Sequence, residues 1–299
     1  FVNVLFESRG EWGFMWECPD FFPLGEKWVF VCSPMGVGER TCVYFVGDFD
    51  AERGRFFPQV NGEVDWGFDF YAPQSLQTPD NRRVMVGWAN GWDWMPFWKD
   101  WGPTWRDGWC GAFGVPRQVT LDEELHLVSK PIAEINTLRD LGKKTEHASL
   151  AVDSTYKLNV GDGVSYDLSF EVDLEATSAS CAELLLRSDG EEGLRIQWDF
   201  ANAELRVERD RADGWSAGVS RSPLCLMGKT QLDVRICLDV CSVELFVDGG
   251  RIVHSMNDFA PLENNEIRFK VADGQLVIKN LAGYPLKAVT DPALTFELR

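Results

Sequence analysis

Glu17 is the residue in this chain best placed by its neighbours to move a proton. It sits in the run Gly13-Phe14-Met15-Trp16-Glu17-Cys18-Pro19-Asp20-Phe21-Phe22, between an indole and a rigid Cys-Pro pair. An apolar setting disfavours the ionised form of a carboxyl, so such a glutamate is expected to hold its proton and act as a general acid. Glycoside cleavage asks this of one of two carboxylates. Asp20 lies three residues on, and strand alternation predicts that it faces away from Glu17. Asp65 and Asp69 are further acids, in the aromatic segment Asp65-Trp66-Gly67-Phe68-Asp69-Phe70-Tyr71. Trp88, Trp92, Trp94, Trp98, Trp101, Trp105 and Trp109 crowd into 22 residues. Aromatic faces suit the C–H faces of sugars, but packing between blades and over a loop is the expected role of most of the seven, Trp88 excepted.

The elements that must hold these groups read as short strands. Trp28–Cys32, Thr41–Val46 and Arg83–Trp88 are β-branched and aromatic runs, punctuated by glycines and by Pro79-Asp80-Asn81. Evenly spaced short strands of this kind fit a propeller or barrel. The texture changes after Pro131, and the polar stretch 141–147 is expected to be a linker. From 148 the chain alternates with period two at Ser165–Leu174, Ala182–Leu186, Gly193–Trp198, Glu204–Val207, Leu232–Leu238, Ser242–Val247 and Glu266–Val271. Seven such runs predict an antiparallel β-sandwich over 148–299 that carries no chemistry of its own.

Charge narrows the partners. The 29 basic and 47 acidic side chains leave a net charge of −18. Residues 1–140 hold 12 basic and 21 acidic groups and the remainder 17 and 26, so each part carries −9. Neither part attracts nucleic acid or an anionic membrane, whereas a neutral sugar fits. No run of 18 apolar residues is present. The eight cysteines show no CxxC pair and several sit in apolar runs, which favours buried free thiols in a reducing, cytoplasmic setting. Three scattered histidines give no metal spacing. Neither metal nor organic cofactor is expected.

The run Met15–Phe22, with Leu24-Gly25 and Val31-Cys32-Ser33-Pro34 after it, closely resembles the acid/base segment of glycoside hydrolase family 32, the β-fructofuranosidases. The resemblance continues in order through Asp65–Ser75, Arg82–Trp88, Gly108–Gly111, Val115-Pro116-Arg117 and Asp239–Gly249. It covers essentially the whole chain. It implies an all-β fold, a five-bladed β-propeller followed by a β-sandwich, of which 1–140 would be about the last three blades. It implies a retaining mechanism with an aspartate nucleophile, a glutamate acid/base and a third aspartate in an Arg-Asp-Pro motif. Glu17 matches the acid/base residue. Trp88, Tyr71 and Asp69 match positions near the fructose pocket and are the expected substrate contacts. The nucleophile's WMNDPNG motif and the Arg-Asp-Pro motif have no counterpart, and Asp291-Pro292 lacks the preceding arginine. The chain is therefore expected to be an N-terminally truncated member, inactive alone, that belongs to an enzyme of sucrose or short fructooligosaccharides. The alternative is a fragment that binds fructans without cutting them. Oligomeric state is not legible.

Overall fold

The computed structural model describes residues 1, 3–38, 40–91, 103–209 and 217–289. Trp92, Trp94, Trp98, Trp101 and the Asp291-Pro292 pair lie outside these residues.

Two four-stranded antiparallel sheets come first. One comprises β1 (Met15–Leu24), β2 (Lys27–Met35), β3 (Val43–Asp50) and β4 (Arg55–Glu63), in that order. The other comprises β5 (Tyr71–Gln77), β6 (Arg83–Trp88), β7 (Arg117–Leu121) and β8 (Leu127–Pro131). Each is a simple up-and-down meander, the form of a propeller blade. The described residues thus hold two blades where the sequence predicts about three. Phe22, Val29, Val31, Tyr44 and Val46 of the first blade pack with Phe70, Met85, Val119 and Leu127 of the second in one buried cluster. A two-residue turn joins β1 to β2, closed by the Leu24–Lys27 pair, with Gly25 at φ +62°. Only glycine adopts that backbone without strain.

Two six-stranded sheets follow. The strands are β9 (Thr145–Val152), β10 (Thr155–Leu158), β11 (Tyr166–Asp173), β12 (Cys181–Ser188), β13 (Leu194–Asp199) and β14 (Glu204–Glu208). They continue as β15 (Val219–Pro223), β16 (Gln231–Asp239), β17 (Ser242–Val247), β18 (Ile252–Asn257), β19 (Glu266–Val271) and β20 (Leu276–Pro285). One sheet runs β10-β19-β12-β13-β14-β15 and the other β18-β17-β16-β11-β20-β9. Phe170, Trp198 and Phe269 pack edge to face between them, at ring separations of 5.5 to 6.1 Å. All seven expected runs are strands. The sandwich already begins within 141–147, because β9 starts at Thr145 and pairs with β20.

The strands missed from sequence include β18, and its burial says why. Every residue of Ile252–Asn257 is buried, so no alternation marks it. It is an edge strand of its sheet, and the second blade covers that edge. Trp66 N–H donates to the Val253 carbonyl at 2.8 Å and Asp69 N–H to the Ser255 carbonyl at 3.1 Å. The segment 65–69 therefore lies along the sandwich as an added edge, which satisfies backbone groups that would otherwise be exposed.

All eight cysteines are free thiols. Cys32, Cys42 and Cys237 are buried as expected, whereas Cys18, Cys110 and Cys225 are exposed. Among the described residues no helix is long and apolar enough to cross a membrane.

Candidate active site

Glu17 lies on β1, where the ladder with β2 slips. Glu17 pairs with Ser33 and Asp20 with Val31, so three steps on β1 face two on β2. Cys18 takes up the extra residue at φ +49°. A bulge of this kind re-aims the side chains beyond it. It corrects the expectation that Glu17 and Asp20 face opposite ways, because both reach β5. Tyr71 Oη donates to Glu17 Oε2 at 2.5 Å. Ser75 donates to Asp20 Oδ2 from its backbone at 2.8 Å and from its hydroxyl at 2.6 Å. Asp20 is thereby a brace between blades, not a second reacting acid.

The facing strand is irregular at the same level. The β5–β6 ladder slips between Tyr71 and Gln74, and Ala72 stands at φ +50°. Ala72 N–H donates to the Ser33 hydroxyl at 2.9 Å, and Gln74 Nε2 donates to the Cys18 carbonyl at 2.9 Å. Two opposed bulges are thus stitched together, and Glu17 projects from the stitch.

The apolar setting read from the neighbours of Glu17 is distributed differently in space. Trp16 turns to the other side of β1, as alternation requires, and packs with Phe6 and Phe30 at 5.2 and 5.5 Å. Cys18 is exposed. Tyr71, 54 residues on, supplies the contact.

Trp88 closes the group. It pairs with Tyr71 at the end of the β5–β6 ladder, and the two rings meet edge to face at 6.4 Å. A loop returns past Trp88 through a bridge to Phe113. Gly111, at φ +77°, is obligatory there, since a Cβ would stand 2.9 Å from the Trp88 ring nitrogen. Glu17, Tyr71 and Trp88 are therefore brought together.

Asp69 is not brought to that group, which corrects its reading as a substrate contact. It is 1% exposed and lies against the sandwich. Its Oδ2 accepts from Arg209 Nη1 at 2.5 Å and from Asn257 N–H at 2.7 Å. Asp65 is similarly committed. Arg117, fully buried, donates to Asp65 Oδ2 at 2.8 Å, to Glu244 Oε2 at 2.7 Å and to the Ser255 hydroxyl at 2.6 Å. Its guanidinium lies 3.7 Å from the Phe70 ring centroid. Burial pushes Glu244 above the usual carboxylate range, while Arg117 and the Val115 N–H oppose it. These acids join the two units.

A separate cleft of about 400 Å³ opens on the seam, lined by Trp12, Tyr44, Glu63, His126, Asp248 and Arg251 among others. None of Glu17, Tyr71 and Trp88 lines it. Burial lifts Glu63 there to about 7, against the opposing pull of Arg40. Among the described residues no group of three or more His, Cys, Asp and Glu side chains is arranged to hold a metal ion.

A carboxyl set between two blades, beside a phenol and an indole, has the makings of an acid/base centre for a small polar substrate. The comparisons give the class its family. The N-terminal domain of glycosyl hydrolases family 32 matches residues 1–131, and the C-terminal domain of that family matches residues 134–285. The chain belongs to glycosyl hydrolase family 32. It is 31% identical over 248 residues to the sucrose-6-phosphate hydrolase of Zymomonas mobilis, covering 80% of this chain and 46% of that protein. It is 29% identical over 312 residues to the levanase of Bacillus subtilis, covering 95% and 44%. Among solved structures it is similar to a mutant of the Bombyx mori β-fructofuranosidase in complex with sucrose. That match has 27% identity and a TM-score of 0.74, covering 96% of this chain and 57% of that one. The chain spans about half the length of the curated relatives it matches.

Proposed function

We propose that this chain carries the acid/base half of a retaining β-fructofuranosidase that acts on sucrose or a short fructooligosaccharide. Glu17 protonates the leaving glycosidic oxygen, then takes a proton from the water that releases fructose. Tyr71 fixes the carboxyl by its 2.5 Å hydrogen bond, and Trp88 offers a ring to the sugar. The observation that carries the reading is this Tyr71–Glu17 contact beside Trp88, in a chain whose relatives include a sucrose-6-phosphate hydrolase. The family's WMNDPNG and Arg-Asp-Pro motifs have no counterpart among these 299 residues. Eight free thiols favour a reducing, cytoplasmic setting. The test is sucrose hydrolysis by Glu17→Gln in the complete protein. A loss of several orders of magnitude, on the scale of removing a group that acts as part of a unit, supports the reading. Near-wild-type turnover rejects it.

A further inference from the structure

The Tyr71–Trp88 pair stands outside the regular part of its blade. On the Tyr71 side the next ladder pair is Gln74–Val86, beyond the bulge. On the Trp88 side the β6–β7 ladder has already stopped at Met85–Arg117. Past that point the Trp88 end is held by the bridge to Phe113 and by the Ala89 N–H to the Ala112 carbonyl at 2.8 Å, whereas the regular ladder leaves the Tyr71 end unsupported as far as Gln74. The sandwich adds a further hold, and one residue of it reaches both ends.

Asn257 is the last residue of β18 and is 3% exposed. Its backbone N–H donates to Asp69 Oδ2 at 2.7 Å, two residues before Tyr71. Its side-chain Nδ2 donates to the carbonyl of Ala89 at 2.9 Å, the residue after Trp88, and to Asn90 Oδ1 at 2.6 Å. The amide thus ties the approach to β5 to the exit from β6. Asp69 is held a second time by Arg209 at 2.5 Å. Buried bonds of this kind are short, directional and costly to break, so they hold a backbone to a defined position.

The geometry points to Asn257 as a positioning residue for the acid/base centre, setting Tyr71 against Glu17 and Trp88 against the sugar from the other domain. This rests on the reading of Glu17 as the acid/base group. It gives the sandwich a part in the reaction that its own surface chemistry does not suggest. The asparagine acts at a distance, and Tyr71 is the side chain that carries its effect to the carboxyl.

The test is a double-mutant cycle on sucrose hydrolysis in the complete protein, with Asn257→Ala, Tyr71→Phe and the pair. Asn257→Ala keeps the backbone donor to Asp69 and removes only the amide link to the exit from β6. We expect it to lower kcat about tenfold and to raise KM several-fold. In the Tyr71→Phe background the kcat loss shrinks to about threefold or less, because the contact being positioned is gone. The rise in KM persists, since it runs through Trp88. Val172→Ala, in the sandwich core away from the seam, lowers Tm while leaving kcat and KM as they were. Equal kcat losses in both backgrounds overturn the inference, as does a Tyr71→Phe variant with wild-type kcat. Unchanged kcat and KM in Asn257→Ala overturn it as well. If Asn257→Ala does not fold, Asn257→Ser takes its place in the same cycle. Glu17→Gln run alongside separates the two failures. Turnover surviving in Glu17→Gln rejects the acid/base reading, whereas its loss together with an additive cycle rejects Asn257 alone.

Discussion

Tyr71 and Glu17 meet across two blades, phenol to carboxylate at 2.5 Å, each projecting beside a backbone irregularity. A typical intramolecular hydrogen bond contributes about 0.5–1.5 kcal/mol. Here it acts on orientation more than on stability, because Glu17 is only partly buried. Tyr71→Phe is expected to lower kcat about 10- to 100-fold while Tm barely changes. Steady-state kinetics and a thermal melt on one preparation check this. A drop in Tm that accounts for the lost activity would mean that the phenol is only a strut.

The pieces of this site differ in how far sequence alone reaches them. Glu17, Tyr71 and Trp88 lie in runs whose residue types carry the chemistry, and they converge. Asp69 sits in the same run as Tyr71, yet its partners Arg209 and Asn257 lie 140 and 188 residues further on. Nothing local distinguishes a carboxylate aimed at a sugar from one aimed at another domain. Alternation misplaces Asp20 because period two assumes an unbroken ladder, and Cys18 breaks it. Asn257 leaves no signal at all. It ends a strand buried on both faces, where alternation vanishes, and its role exists only once the domains are docked. The sandwich strands that alternate are legible for the opposite reason, having one face in the core and one toward solvent.

The Arg117 network should respond unequally to its two ends. Arg117→Met leaves Asp65 and Glu244 buried without their cation, and breaking a buried pair in this way costs about 3–5 kcal/mol. Glu244→Gln removes a charge that burial already disfavours, keeps an oxygen for the Val115 N–H 2.5 Å away and turns its amide NH2 toward Arg117, which still donates to Asp65 and Ser255. It should cost less than half as much. Denaturant unfolding of both variants gives the comparison. Equal losses would contradict the view that desolvation of Glu244 is the dominant cost.

Gly67 is a point where segment 65–69 lies tight against the sandwich edge. A Cβ there would stand 2.1 Å from the Ser255 carbonyl oxygen and 2.3 Å from its nitrogen. Neither atom belongs to a flexible side chain, so Gly67→Ala must push segment 65–69 off β18. Overpacking of this kind costs about 1–3 kcal/mol. Hydrogen exchange should report the site directly. The Trp66 and Asp69 amides, bonded to Val253 and Ser255, should lose protection while those of the sandwich core keep theirs. Unchanged exchange at both amides would show that the edge contact is dispensable.

His254 and Glu63 should give the seam opposing pH dependences. Burial lowers His254 to about 3 from 6.5, and its two ring nitrogens meet the Ser220 and Ser222 hydroxyls at 2.7 and 2.8 Å. The unfolded chain takes up a proton below pH 6.5 that the folded chain refuses. Stability from this group is therefore complete above that pH and falls as pH drops, by about 2 kcal/mol at pH 5. Replacing His254 by Gln should flatten that slope in urea unfolding between pH 7 and 5. A slope as steep as wild type would place the acid sensitivity elsewhere.

Glu63 runs the other way. Its pKa of about 7 in the fold lies above the ordinary 4.5, so the folded chain keeps a proton that the unfolded chain releases. Its contribution is present below pH 4.5 and is lost as pH rises through 7, on the order of 3 kcal/mol in all. Burial is the cause, and Arg40, paired to it at 2.9 Å, only partly offsets it. Glu63→Gln stays neutral throughout, so it should gain on wild type by about 2–3 kcal/mol between pH 5 and pH 8. Urea midpoints of the two proteins at both pH values decide the matter. A difference that does not change with pH would mean that Arg40 holds Glu63 ionised in spite of its burial.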